Sequence, residues 1–304
     1  MSPIALKVMR PVFALGGRLA PRTTARLAFR LFCLTPSRRP VGQKARKVHA
    51  EGRRRLAAAE TMPFRVGKAR VMAYHFNGAD ATPRKRVLVV HGWGSGAAYI
   101  SGLATGLASG GADVVVLDFP GHGLSTGRHL NMRMAVEAIV EAERLFGPFD
   151  GAVGHSFGGA SLLLAAGGIM QAVGQISPQR LAVIGAPTRI EWLFEGFAGM
   201  FGLNQSVRTK LVEHAETVAG AALSDFDAIP IAERIRTPLL VVHAEEDKEV
   251  DADHARRYTS VPSARIHWAN GHGHRRIIAA PEVIDTVVGF LVTGDSGDGR
   301  STAA

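Results

Sequence analysis

A chain of 304 residues with 46% hydrophobic content can bury one large core, and its single cysteine, Cys33, excludes an internal disulfide framework. The net charge of +10 averages two unlike parts: residues 1–70 hold 17 Lys/Arg against Glu51 and Glu60, a net of +15, and the rest hold 19 against 24 acids, a net of −5. Arg10, Arg18, Arg22, Arg26 and Arg30 interrupt every apolar stretch near the N-terminus, which excludes a spanning helix or a signal-peptide core there.

Residues 1–62 read as a basic amphipathic N-terminal segment. Arg22, Arg26 and Arg30 share one helical stripe, and Leu27, Leu31 and Leu34 share the adjacent one. Such a helix fits two settings: packed on the globular domain with its arginines solvated, or lying on an anionic membrane surface. No nucleic acid is expected as a partner, because the segment lacks a reader motif or interleaved aromatics. The lone thiol suits a reducing compartment, so a cytoplasmic location is expected, with peripheral membrane contact through this segment as the variant.

Residues 63–293 alternate short apolar runs with helix-length segments. The runs at 87–90, 114–117, 152–153, 181–184 and 239–242 suit buried parallel strands. Segments 98–109, 131–146, 157–172 and 252–260 suit helices. Residues 65–76 read as an antiparallel edge, 264–268 as a half-exposed edge strand, and 276–292 as a closing helix. This order predicts an α/β fold, a mostly parallel sheet flanked by helices, with ligands at the carboxyl ends of the strands. Between Pro187 and Thr237 the rhythm breaks for about 50 residues, far beyond a normal loop. A small helical cap at about 189–236 is the natural reading, with a helix over 204–222 and with Trp192, Phe194, Phe197, Met200, Phe201 and Leu203 as its core. Residues 294–304 are small and polar and read as a disordered tail.

Candidate chemistry falls after the strands. His91-Gly-Trp-Gly94 follows the first run, and Asp118-Phe-Pro-Gly-His-Gly-Leu-Ser125 the second. Gly154-His-Ser156-Phe-Gly158 follows the third, Asp247 lies beyond 239–242, and His272 and His274 lie beyond 264–268. Convergence at strand ends is what one centre on a parallel sheet produces. A G-x-S-x-G mounts a nucleophilic serine on a tight strand-to-helix turn, where a Cβ on either side would collide with its neighbours. A second match, Gly123-Leu-Ser125-Thr-Gly127, lies past Pro120 with no apolar helix behind it and reads as a turn. Ser156 needs a base, an acid to orient that base, and two N–H donors where an oxyanion develops. The backbone amides of Trp93 and Phe157 are the candidates for the oxyanion hole.

In motif order the chain resembles the α/β-hydrolase family over about residues 65–292, as a serine esterase or lipase would. The resemblance implies a Ser–acid–His triad: Ser156, Asp247 in Glu245-Glu-Asp-Lys-Glu-Val250, and His274 in Asn270-Gly-His-Gly-His-Arg-Arg-Ile277. His272 is the second choice of base, since it too follows a glycine, but His274 leads directly into the closing helix. His91, His122 and His155 read as hydrogen-bonding supports, and His243 and His267 as strand residues. No cofactor or metal is expected: His272-x-His274 lacks a third ligand at metal spacing, and the glycines of 92–96 precede no Gly-Lys-Ser/Thr. The expected activity is cleavage of a small-molecule carboxylic ester through an acyl-enzyme. A thioesterase or acyltransferase would use the same triad, and a non-catalytic interaction domain is the reading from another class.

Overall fold

The structure is a computed structural model that describes residues 3–77 and 84–294. The tail expected from 294 lies, beyond Gly294, outside the described residues. Three helices open the chain: α1 (Pro3–Leu19), α2 (Pro21–Phe32) and α3 (Gln43–Leu56). An eight-stranded sheet follows, made of β1 (Glu60–Val66), β2 (Ala69–Phe76), β3 (Arg86–Val90), β4 (Asp113–Asp118), β5 (Gly151–His155), β6 (Arg180–Ile184), β7 (Leu239–His243) and β8 (Ala264–Trp268).

The strand order is β1-β2-β4-β3-β5-β6-β7-β8. β1 and β2 pair antiparallel, β2 pairs antiparallel with β4, and every later pair is parallel. The edge expected over 65–76 is therefore a hairpin of two strands. Gly67, at φ 53, supplies the left-handed residue of its turn. Successive residues of each strand feed opposite faces: Leu88 and Val90 join one apolar cluster, Val87 and Val89 the other. The chain leaves β3 towards β4 on one side and returns to β5 on the other. The ends of β3 and β5 thus form the switch point where a parallel sheet opens a crevice.

The flanking helices are α4 (Ala97–Ser109), α5 (Met132–Phe146), α6 (Phe157–Gly167), α7 (Glu191–Phe201), α8 (Gln205–Ala219), α9 (Ala228–Ile235), α10 (Asp253–Arg256), α11 (Gly273–Arg276) and α12 (Pro281–Val288). Asn131 and Asn204 cap α5 and α8 by accepting the N–H groups of Met134 and Val207. α6 stops a turn short of the expected 172 because Gly168 turns left-handed at φ 61. The helix expected over 276–292 is broken, since Pro281 has no N–H to continue one and instead begins α12. In the inserted region α7 and α8 form the cap, while α9 returns to pack on α6. Asp227 anchors the cap's ends by accepting from Arg189 Nε at 2.8 Å and Arg257 Nη2 at 2.7 Å.

The first three helices are packed on the domain. Phe13 of α1 meets the Phe201 ring edge-on, with centroids 5.3 Å apart. α2 buries Ala25, Ala28 and Phe29 and lies along α8. Of the leucine stripe in the sequence reading, Leu31 packs against the core while Leu27 and Leu34 are exposed, since the face turned to α8 is that of Ala25, Ala28 and Phe29. α3 crosses α4 so tightly that a Cβ on Gly52 would lie 1.8 Å from the Ala98 carbonyl oxygen.

Candidate active site

Ser156 sits between β5 and α6 with φ 52 and ψ −121, a left-handed φ that non-glycine residues rarely hold. The Ser156 N–H donates to Ile184 O at 2.8 Å, which carries the β5–β6 ladder up to the serine itself. Its glycines are sterically required. A Cβ on Gly154 would meet Gly159 N at 2.6 Å, one on Gly158 would meet His91 O at 2.5 Å, and one on Gly159 would meet the Ala186 Cβ at 2.7 Å. The second motif is a different object: Ser125 is fully buried, donates to Asp118 O at 2.6 Å and accepts from Met72 N–H at 2.8 Å.

His274 lies at the entrance of α11, its Nε2 3.0 Å from Ser156 Oγ and its Nδ1 2.7 Å from Asp247 Oδ2. The other Asp247 oxygen accepts the N–H groups of Glu249 and Val250 at 2.8 and 2.9 Å. Burial alone would raise the Asp247 carboxyl, but the bonds from His274, Val250 and Glu249 hold it below its ordinary value. Asp247 accepting at Nδ1 fixes the tautomer in which His274 Nε2 is free to take a proton from the serine. His272 faces away and pairs with Glu282, so the structure brings together Ser156, Asp247 and His274 and leaves the second-choice base outside.

The two acids beside Asp247 have work of their own. Glu246 Oε1 accepts the N–H groups of Gly271 and Gly273, and the Glu245 N–H donates to Asn270 Oδ1. They tie the loop that carries the base to the loop that carries the acid. Sequence reading missed this support, although their adjacency to Asp247 was the available signal.

Phe157 is the first residue of α6, so its N–H has no intrahelical acceptor and points out at the positive end of the helix dipole. Around Trp93, Gly94 N–H donates to His122 Nε2 at 3.0 Å and Ser95 N–H to Gly92 O at 3.2 Å. Those bonds fix the loop while leaving the Trp93 amide out of them. Asp118 anchors the loop's exit by accepting Ala97 N–H at 2.7 Å, Leu124 N–H at 2.8 Å and the Tyr74 hydroxyl at 3.0 Å.

Three buried histidines support this frame. His91 donates from Nδ1 to Gly92 O and accepts Phe119 N–H at Nε2. His122 donates from Nδ1 to Pro120 O while its Nε2 accepts from Gly94. His155 donates from Nε2 to His274 O at 2.8 Å. Burial drives His91 down to about 4 and His122 and His155 down to about 3, so all three are neutral at pH 7.

A cavity of about 1090 Å³ opens over Ser156 and His274. The cap contributes Trp192 and Phe194 to its lining, so these two aromatics face the cavity, whereas Phe201 and Leu203 form the cap's core as expected. Unanticipated are Phe29, Phe32 and Cys33, which make the N-terminal segment part of the wall. Burial pushes the Cys33 thiol up to about 12, so it holds no nucleophilic thiolate near neutrality. No described helix is long and apolar enough to cross a membrane.

The fold is shared with many solved structures. A putative lipase from Acinetobacter baumannii AYE aligns at TM-score 0.57 with 18% identity, covering 84% of this chain and 98% of its own. The Pyrococcus furiosus esterase Pf2001 aligns at 0.57 with 18% identity over 85% and 98%. A monoacylglycerol lipase from Paleococcus ferrophilus aligns at 0.55 with 21% identity over 73% and 98%. At such identities the likeness is one of fold. The sequence over residues 87–286, about two thirds of the chain, also matches the model of the alpha/beta hydrolase family, and the chain belongs to that family.

Proposed function

We propose that the protein is a serine hydrolase that cleaves carboxylic esters through an acyl-enzyme. Ser156 Oγ attacks the ester carbonyl carbon as its proton passes to His274 Nε2. Asp247, bonded to Nδ1, stabilises the imidazolium that forms. The Trp93 and Phe157 amides receive the carbonyl oxygen as it gains negative charge, each donor being worth about 2.7–4 kcal/mol in such sites. The C–O bond to the alcohol then breaks and His274 returns the proton to the departing oxygen. Water repeats the sequence on the acyl-enzyme, releasing the acid and restoring Ser156.

The observation that carries this reading is the continuous relay Ser156–His274–Asp247 at 3.0 and 2.7 Å beneath an apolar cavity. Short p-nitrophenyl esters test it: Ser156→Ala is expected to lose at least about 10³-fold in kcat. Retained turnover, or no labelling of folded wild-type protein by a fluorophosphonate, refutes the assignment. Transfer of the acyl group to something other than water, or its removal from a thioester, would use the same groups. Product analysis with competing alcohols and a thioester panel separates these variants.

We also propose that the N-terminal helices touch an anionic membrane surface. Val8, Val12, Leu15 and Leu19 lie at helical spacing on α1 and are 53–76% exposed. Lys7, Arg18 and Arg22 flank them, and no acidic residue precedes Glu51. Co-sedimentation with phosphatidylserine-containing vesicles is expected to fall with salt and with Leu15→Asp/Leu19→Asp. Equal pelleting of variant and wild type would overturn it.

A further inference from the structure

The lining of the cavity divides by burial. On one side stand Val41, Val48, Trp93 and Trp192, each at least 38% exposed, together with Lys44 and Arg276, so this is the mouth. On the other stand Phe29, Met132, Phe194, Ala215, Leu223 and Phe226, each no more than 9% exposed. This inner wing is lined jointly by α2 and by the cap helices α7 and α8. Its nearest cation, Arg133, is taken up by Glu137 at 2.8 Å and by Ala219 O at 3.4 Å. Asn131, also in the lining, accepts from Met134 N–H as the cap of α5. The inner wing therefore offers apolar contact and few groups with which to hold a polar substituent.

Its width is set by small residues. Ala215 and Ala219 are one helical turn apart on the face of α8 that looks into the cavity, where a larger side chain would close it. The N-terminal segment continues this wall: Phe29 fits its ring edge-on to His214 of α8, and Phe32 stacks on Phe194 of α7 at 4.6 Å. An acetyl or butanoyl group would occupy a small part of a volume at the upper end of the range for ligand pockets, about 300–1,000 Å³. The apolar walls beyond it would stay wet, and a longer chain gains by covering them.

Resting on the ester-hydrolase reading, we infer that the substrate carries a long, unbranched acyl chain, and that the N-terminal segment is part of its binding site. The chain extends from the Ser156 carbonyl along the sleeve lined by α2, α7 and α8, and the alcohol portion lies towards the mouth. Phe29 and Ala215 are specificity-determining residues in that lining.

A series of p-nitrophenyl esters from acetate to palmitate tests this, with calorimetric binding of hexadecanoate as a readout independent of catalysis. Wild type is expected to gain in kcat/KM with length up to at least the decanoate, by at most roughly fourfold per methylene. Ala215→Phe, which shortens the sleeve, and Phe29→Ala, which removes its α2 wall, are each expected to lower the palmitate-to-butyrate ratio at least tenfold. Each is also expected to weaken hexadecanoate binding by a similar factor, and thermal unfolding of both variants verifies that they fold. A wild-type optimum at acetate or butyrate, or no measurable hexadecanoate binding, overturns the inference. A ratio that responds to Ala215→Phe but not to Phe29→Ala overturns the part assigned to the N-terminal segment. If no ester of any length is cleaved while hexadecanoate still binds and Ala215→Phe weakens it, the hydrolase reading falls and the sleeve stands.

Discussion

Acidification from pH 7.5 to 5 is expected to weaken the fold by loosening the frame of the oxyanion loop, ahead of the main titration of the carboxylates. His91, His122 and His155 are neutral in the folded protein, held at about 4, 3 and 3, chiefly by burial. In the unfolded chain they return to about 6.5. Below 6.5 the unfolded state therefore binds more protons, and stability falls with pH. The contribution is complete above 6.5 and is lost as pH drops towards 4 and 3. One group costs about 1.36 kcal/mol per pH unit in that window, so by pH 5 each histidine has cost about 2 kcal/mol and the three together about 6. That is comparable to the whole stability of many domains. His243, lowered mainly by burial, acts in the same direction. Protonation also has a local meaning. The Nε2 atoms of His91 and His122 accept the N–H groups of Phe119 and Gly94, and a protonated ring cannot accept them. Urea unfolding at half-unit pH steps is the assay, with His122→Gln as the second sample. His254 and His267 are lowered by burial in the same direction, so the variant is expected to lose a clear part of the pH slope, at most about one third. A free energy of unfolding that stays flat between pH 7.5 and 5, or a slope unchanged in the variant, would refute the reasoning.

The two histidines after β8 are expected to behave unequally. His274→Ala should cost at least about 10³-fold in kcat on a p-nitrophenyl ester, whereas His272→Ala, whose ring pairs with Glu282 at the surface, should stay within about twofold. Asp247→Asn is expected to lose on the order of 10⁴-fold in kcat with little change in KM, because the amide favours the wrong tautomer of His274. Gly158→Ala drives a Cβ to 2.5 Å from the His91 carbonyl and is expected to cost about 1–3 kcal/mol in thermal unfolding, with activity lost alongside.

Much of this was legible because it is local. The runs of β3 to β7 are buried on both faces and so read as continuous apolar segments, and Ser156 and His274 follow strands at short range. The signal for the hairpin of β1 and β2 is Gly67-Lys68, a turn pair that interrupts an otherwise alternating run. The N-terminal wall was not. A leucine stripe signals amphipathicity, but the face that α2 buries was decided by Ala25, Ala28 and Phe29 meeting α8. That match involves residues nearly two hundred positions away and has no local signature. The supporting histidines were named as hydrogen-bonders, yet their partners are backbone atoms, whose positions no residue type records.

The contact between α2 and α8 also sets an order of assembly. Residues 21–32 leave the ribosome early, and residues 205–219 only after most of the sheet has been made. Until then the contact of Phe29 and Phe32 with the cap helices, one of very high sequence separation, cannot close. The cavity over Ser156 is thus finished by joining two segments nearly two hundred positions apart. A nascent chain can hold six strands and the serine turn and still have no chamber.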